Sequence, residues 1–176
     1  MIKLTKIETP LGLMVAGATK DGLCLLEFTD RQSLQEQKDD IAGLLETSFI
    51  EGSNKYLRML KKQLKEYFKG KRKEFTIPLI TPGTEFQQSV WQELLKIPYG
   101  LTKSYQEQAE LLKNPGSVRA VAHANASNRI AIVIPCHRVI GSDGHLVGYG
   151  GGLERKKWLL DHEKKHSGKP VDLDLF

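Results

Sequence analysis

Ile2 to Thr9 alternates apolar and polar side chains, and Pro10 and Gly12 interrupt the pattern. Leu13 to Thr19 resumes it, and Asp21-Gly22 turns the chain into a third apolar run, Leu23 to Phe28. Period-two patterning broken at turn residues commits the first thirty residues to a β-meander. Cys24 lies inside the third run and reads as a small buried hydrophobe. Residues 33–47 form a poorly capped helix carrying Leu34, Ile41, Leu44 and Leu45, weakened by Gly43. From Ser53 a stronger helix places Leu57, Leu60, Leu64 and Tyr67 or Phe68 on one face. Its other face holds Lys55, Arg58, Lys61, Lys62, Lys65 and Lys69, read first as a solvated surface and second as a nucleic-acid contact. Gly70 ends that helix, Phe75 to Ile80 is expected to add a strand, and Thr81-Pro82-Gly83 marks a boundary between units 1–82 and 83–176.

The 176 residues suit one domain or two small ones, and 40% hydrophobic with 27% charged residues is an ordinary globular composition. No apolar run approaches the roughly 20 residues that cross a bilayer. The first residues carry no signal-peptide stretch, so neither a membrane nor a secreted protein is expected. Two cysteines favour a reducing compartment and are too few for a four-cysteine zinc site. The net charge of +5 is compatible with a polyanionic partner without requiring one.

Beyond the boundary, two capping boxes, Thr84 with Gln87 and Ser104 with Glu107, open helices. The turn Asn114-Pro115-Gly116-Ser117 leads into another helix from Val118 to Ala126, giving the form of a helix-turn-helix. Ile130 to Ile134 is continuously apolar and is expected to be a short buried strand, stopping at Pro135-Cys136-His137-Arg138-Val139. Six glycines follow between Gly141 and Gly152, read as a wall of backbone around a pocket, with a turn at Ser142-Asp143-Gly144. A final helix ends at Asp161-His162-Glu163. His123, His145, His162 and His166 read as surface residues without metal partners.

A cysteine at the exit of a rigid element is displayed as nucleophiles often are. A free thiol, with a pKa near 8.5, needs activation at neutral pH. His137 is the base at hand, but in extended chain neighbouring side chains point to opposite faces. Cys136 and His137 would therefore work through a bridging water or a bend, with Glu163 orienting the imidazole. From spacing alone a reactive and a structural Cys136 both stand.

The pentapeptide at 135–139 resembles the active-site motif of the O6-alkylguanine-DNA alkyltransferase (methylated-DNA–protein-cysteine methyltransferase) family. The likeness extends from Phe86-Gln87-Val90-Trp91 through Ile97-Pro98-Tyr99-Gly100, Ser104-Tyr105, Arg119-Ala120-Val121 and Asn128 to Gly148-Tyr149, Trp158-Leu159-Leu160 and His162-Glu163. It implies an α/β (α+β) protein: a small ribonuclease H-like meander and helix domain, then a helical domain with the helix-turn-helix. It also implies stoichiometric, irreversible transfer of an alkyl group from O6-alkylguanine, and from O4-methylthymine, to Cys136 after the damaged nucleotide is flipped out. By the same resemblance His137 is the base, Glu163 its orienter, Tyr105 the proton source, and Asn128 the hinge between recognition helix and active site. Arg119 enters the base stack, with Ala120 and Ser117 against DNA, and Pro135, Val139, Tyr149 and Gly150 form the pocket. The resemblance implies no cofactor or metal, a monomer on the minor groove of double-stranded DNA, and a cytoplasmic (in a eukaryote, nuclear) location. Gly150 stands where some relatives have serine, which suggests a roomier pocket open to bulkier alkyl groups. A non-enzymatic lesion-binding protein, a thiol redox sensor and a cysteine hydrolase are the rival readings.

Overall fold

The computed structural model describes residues 1–168, so the last eight residues of the 83–176 unit lie outside the described residues. Strands β1 (Ile2–Thr9), β2 (Gly12–Ala18) and β3 (Leu23–Phe28) form the antiparallel meander. A short β4 (Phe49–Glu51) adds parallel to β1, giving the order β3-β2-β1-β4. The Asp21-Gly22 turn is closed by Thr19 N–H donating to Gly22 O at 2.9 Å.

One face of this sheet is covered by α1 (Leu34–Leu44), whose Ile41 packs with Ile2, Val15, Cys24 and Leu25. Ser33 makes no side-chain cap bond to this helix, in keeping with its weak start. Helix α2 (Lys55–Phe68) covers the other face with Leu57, Leu60, Leu64 and Tyr67. Asn54 caps it, its side-chain oxygen accepting from Tyr56 and Leu57 N–H. Gly70, at φ +77°, ends it where a Cβ would strike the His166 ring.

The second half consists of α3 (Glu85–Leu95), α4 (Tyr105–Leu111), α5 (Val118–Ala126) and α6 (Leu153–Lys165), with a two-residue parallel pair of β5 (Lys103–Ser104) and β6 (Val139–Ile140). Both expected capping boxes are present, at Thr84/Gln87 and Ser104/Glu107. One apolar core runs through both halves, joining Met14, Phe28, Leu64 and Tyr67 to Trp91, Leu94, Ile130–Ile134 and Leu159.

Two expected strands are not formed as such. The stretch 75–80 touches the sheet by one bridge, Leu79 to Leu23, and Ile130–Ile134 by one bridge, Ile130 to Leu26. Both compete for the free edge of the six-residue β3, and Pro78 has no N–H to extend a ladder. The apolar run from 130 is buried, as its composition demands, but it coils. Ile132 takes φ +71°, and Ile134 N–H turns back to Ile130 O at 3.0 Å.

Candidate active site

The helix-turn-helix is locked before any functional side chain is placed. Gln108 on α4 and Asn125 on α5 exchange amide hydrogen bonds at 3.0 and 2.8 Å, both buried. Trp91 Nε1 donates to Ala124 O at 3.0 Å and ties α3 to the same helix. Arg119 and Ala120 are left exposed on α5.

Just past α5 stands Asn128, almost fully buried. Its carbonyl oxygen accepts Ile130 N–H at 3.0 Å, and its amide donates to Ile134 O at 2.8 Å and to Cys136 Sγ at 3.3 Å. One side chain therefore closes the coil between helix and cysteine and aims the thiol. Asn128→Ala is expected to cost about 1–3 kcal/mol through the stranded carbonyl and N–H. It should also slow transfer more than stability loss explains, readable as a reduced single-turnover rate at a temperature where the variant is fully folded.

Cys136–Arg138 is a 3-10 turn rather than extended chain, yet the two side chains still diverge. Cys136 is half-buried and faces a cavity, while His137 is fully buried and points into the protein. Its Nε2 lies 2.7 Å from Glu163 Oε2. Glu163 also receives the Tyr67 hydroxyl at 2.6 Å and Arg138 through Nε at 2.7 Å and Nη2 at 3.1 Å. Burial alone would raise the Glu163 carboxyl, but His137 and Arg138 hold it well below the usual carboxylate range. Burial lowers the His137 pKa against the pull of Glu163, so the imidazole is neutral at neutral pH. An ionised Glu163 can only accept, so the ring proton belongs on Nε2 and the lone pair on Nδ1. That Nδ1 is buried and makes no hydrogen bond.

The Cys136 thiol is pushed up by burial and eased down by the Asn128 hydrogen bond. A thiol raised in this way needs a base before it can react, and an unpartnered imidazole nitrogen is a group of that kind. Cys24, by contrast, is wholly buried and its pKa is pushed up to about 12, as expected of a structural thiol.

The cavity at Cys136 has a volume of about 800 Å³. Of the residues expected at the site, Tyr105, Arg119, Cys136, Tyr149 and Gly150 line it together. Asn128, His137 and Glu163 stand behind the wall, and Ser117 and Ala120 line a neighbouring hollow with Arg119 and His123. Two expected pocket residues are elsewhere. Pro135 faces a cleft on the far side with Tyr99 and Arg138, and Val139 is wholly buried in β6. Val139 is held in place by its pairing with Lys103 of β5, and Pro135 immediately precedes the 3-10 turn at 136–138.

Tyr105 donates to Val147 O at 3.1 Å, and its pKa is raised to about 12, chiefly by burial, so its phenol stays protonated. Burial likewise raises Tyr149, whose hydroxyl is buried without a partner. The glycine-rich loop is held by a residue that sequence reasoning passed over. Lys156 on α6 is fully buried, donates to Val147 O at 2.9 Å and Gly148 O at 3.1 Å, and has its pKa lowered to about 8 by burial. Nothing in its lysine-rich neighbourhood, Arg155-Lys156-Lys157, distinguishes it beforehand. His162 is also buried, with Nε2 2.7 Å from Tyr67 O, and so departs from its expected surface place. Arg138, read only as part of the pentapeptide, and Tyr67, read only as part of an apolar helix face, complete the Glu163 cluster through contacts that the sequence did not mark. Among the described residues no group of three His, Cys, Asp or Glu side chains could hold a metal ion. No described helix is long and apolar enough to cross a membrane.

A cavity-facing thiol beside a helix-turn-helix, with a buried histidine–glutamate pair behind it, places a candidate nucleophile on a scaffold of the DNA-binding type. Two family models match the chain: 6-O-methylguanine DNA methyltransferase, ribonuclease-like domain, at residues 2–81, and 6-O-methylguanine DNA methyltransferase, DNA binding domain, at residues 85–165. The methylated-DNA–protein-cysteine methyltransferase of Mycolicibacterium paratuberculosis is 43% identical over 176 residues, covering 100% of this chain and 99% of that protein. The corresponding protein of Methanosarcina barkeri is 42% identical over 160 residues, covering 91% of this chain and 96% of its own. The crystal structure of Mycobacterium tuberculosis O6-methylguanine methyltransferase matches with a TM-score of 0.81 at 39% identity, covering 100% of this chain and 99% of that one. That of Mycobacterium tuberculosis OGT in complex with DNA matches at 0.80 and 40% identity, covering 99% of each chain. The chain belongs to the 6-O-methylguanine DNA methyltransferase family, whose members repair DNA by a single-use cysteine methyl transfer.

Proposed function

We propose that this protein binds double-stranded DNA through its minor groove and takes the alkyl group of O6-alkylguanine, and of O4-methylthymine, onto Cys136. The observation that carries this reading is the thiol held by Asn128 at the wall of a cavity, with the neutral, Glu163-paired imidazole of the next residue behind it. The His137 Nδ1 lone pair takes the thiol proton through one bridging water. Sγ then attacks the alkyl carbon, the S–C bond forms, and the C–O6 bond breaks with its electron pair passing into the guanine ring. Tyr105, kept neutral by burial, gives the departing base its proton and recovers one from His137 through solvent. Glu163 steadies the imidazolium that exists between these transfers. The product is a thioether with no good leaving group, so each molecule acts once.

The O6 alkyl group lies inside the duplex, so the nucleotide must first be extruded at a cost of a few kcal/mol. Arg119, exposed at the mouth of the cavity, fills the vacated stack, and the small Ala120 beside it lets α5 lie close to the groove. Ser117 leads into the N-terminus of α5, where backbone N–H groups suit a phosphate. Tyr149 and Gly150 flank the flipped base, with Pro135 and Val139 supporting the turn behind them. Arg119→Ala should slow transfer from duplex DNA about tenfold to a hundredfold while leaving reaction with free O6-benzylguanine base within about twofold. Parallel single-turnover assays on the two substrates check it, and equal losses on both would remove Arg119 from flipping.

The protein acts as a monomer of two units, 1–82 and 83–176, in the compartment that holds the DNA: the cytoplasm, or the nucleus of a eukaryote. A direct test is intact-protein mass spectrometry after mixing with a duplex carrying one O6-methylguanine. The protein should gain one methyl group in place of the thiol proton, saturating at one per chain. Tight lesion binding with no mass gain would favour the lesion-binding rival. A gain reversed by reductant would favour the thiol sensor, and turnover beyond one per chain would favour a hydrolase-like enzyme.

A further inference from the structure

The absence of a side chain at Gly150 does not enlarge the cavity, because the space is already taken. A Cβ built on Gly150 would fall on the Arg31 guanidinium, with Nη1 at 2.6 Å and Nε at 2.7 Å. Gly150 is not among the residues with positive φ, so its backbone would accept a side chain and only Arg31 excludes one. The guanidinium is not free to withdraw. Nη1 donates to the Glu27 carboxylate and Nη2 to Ala126 O at the end of α5. Glu27 is itself 1% exposed and pinned by Phe28 N–H at 3.0 Å and Gln37 Nε2 at 3.3 Å.

Arg31 thus comes from the loop after β3, in the first half of the chain, and braces two separate pieces of the lesion cavity in the second half. Gly150 and Ala126 both line that cavity with Cys136. We propose that Arg31 is a positioning and specificity-determining residue: its anchored guanidinium stands behind Gly150 and sets how far that wall can yield to the alkyl group of the substrate. Arg31 and Gly150 then form a matched pair, a large planar head on one element answered by a missing side chain on the other. The inference rests on the reading that Cys136 accepts the alkyl group from a base seated in this cavity.

The test compares single-turnover transfer from duplexes carrying O6-methylguanine or O6-benzylguanine for wild type, Gly150→Ser, Arg31→Ala and the double variant. Gly150→Ser should slow methyl transfer about tenfold, a coupling of the size found between residues in direct contact. Removing the guanidinium in the double variant should restore the rate to within about threefold of Arg31→Ala alone. Arg31→Ala should raise the benzyl-to-methyl rate ratio about threefold or more, as the unbraced wall yields to the larger group. Arg31→Lys keeps the charge beside Glu27 but lacks the second arm for Ala126 O, so it should recover melting temperature more fully than it recovers the ratio. A wild-type rate for Gly150→Ser, independent effects in the double variant, or an unmoved ratio would each overturn the proposal. If Gly150→Ser does not fold, regained folding in the double variant reads the same coupling, and no regain overturns it. Failure of the wild-type protein to take up any alkyl group would sink the reading of Cys136 and this inference together. Normal wild-type transfer with uncoupled variants would sink this inference alone.

Discussion

A Cys136→Ser protein is expected to transfer no methyl group: its mass should stay unchanged after incubation with O6-methylguanine duplex, a rate loss of more than about a thousandfold. The exchange removes one polarizable, ionisable atom and leaves the surrounding shape intact. A serine hydroxyl is far less acidic than a thiol and its oxygen far less polarizable, so even with an imidazole behind it the oxygen is a poor nucleophile for direct displacement at a saturated alkyl carbon. Asn128 still closes its coil through Ile130 N–H and Ile134 O, and the cavity keeps Tyr105, Arg119, Tyr149 and Gly150. Binding to lesion duplex should therefore persist within about threefold, measurable by fluorescence anisotropy. A methyl group found on this variant would move the acceptor elsewhere. Cys24 offers no substitute, since its thiol is wholly buried within the sheet and donates toward Gly17 O at 3.5 Å.

Glu163→Gln is expected to cost about 3–5 kcal/mol of stability and to lower the melting temperature by on the order of 10 °C. The carboxylate accepts from His137, Arg138 and Tyr67 in one buried cluster. An amide presents a donor on one side, so either Arg138 or the pair formed by His137 and Tyr67 meets N–H instead of oxygen, and the Arg138 charge loses its counter-ion. Transfer should fall by about a hundredfold or more, because the His137 proton is no longer confined to Nε2 and the imidazolium is no longer stabilised.

The same cluster sets an acid limit on the fold. His137 and His162 have pKa values lowered by burial, so the unfolded chain binds their protons first and stability declines once the pH drops below about 6.5. Glu163 adds a second decline below about 4.3, where the unfolded carboxyl takes up a proton and the folded one, held well below its ordinary range, does not. Urea denaturation across this range should show both limbs in wild type. The lower limb should shrink in Glu163→Gln, and an unchanged lower limb would assign it to other carboxylates.

Much of this site was readable because the relevant residues sit in local patterns. The capping boxes at Thr84 and Ser104, the Val118–Ala126 helix and the cysteine after Pro135 each depend on neighbours a few positions away. The apolar run at 130–134 was correctly read as buried and wrongly read as a strand. Burial follows from composition, whereas a strand needs a free partner edge, and β3 divides its edge between residues 79 and 130.

Arg31 and Tyr67 gave no sign of their polar partners, which lie far away in the chain, while Lys156 and Glu27 act on nearer groups that no local pattern marks. Tyr67 meets Glu163 across 96 residues and Arg31 meets Ala126 across 95. A lysine, an arginine or a tyrosine in a helix or loop reads as surface or packing until its partner is known. The amino-acid sequence by itself determined most of the helices and the meander, because propensity, capping and side-chain alternation are local, and it marked Cys136 and His137 through the resemblance of residues 135–139 to a family motif. The tertiary structure alone decided which nitrogen of His137 is free, what fills the space at Gly150 and which lysine holds the glycine-rich loop. Those depend on how segments pack against one another in space, which no local pattern of residues specifies.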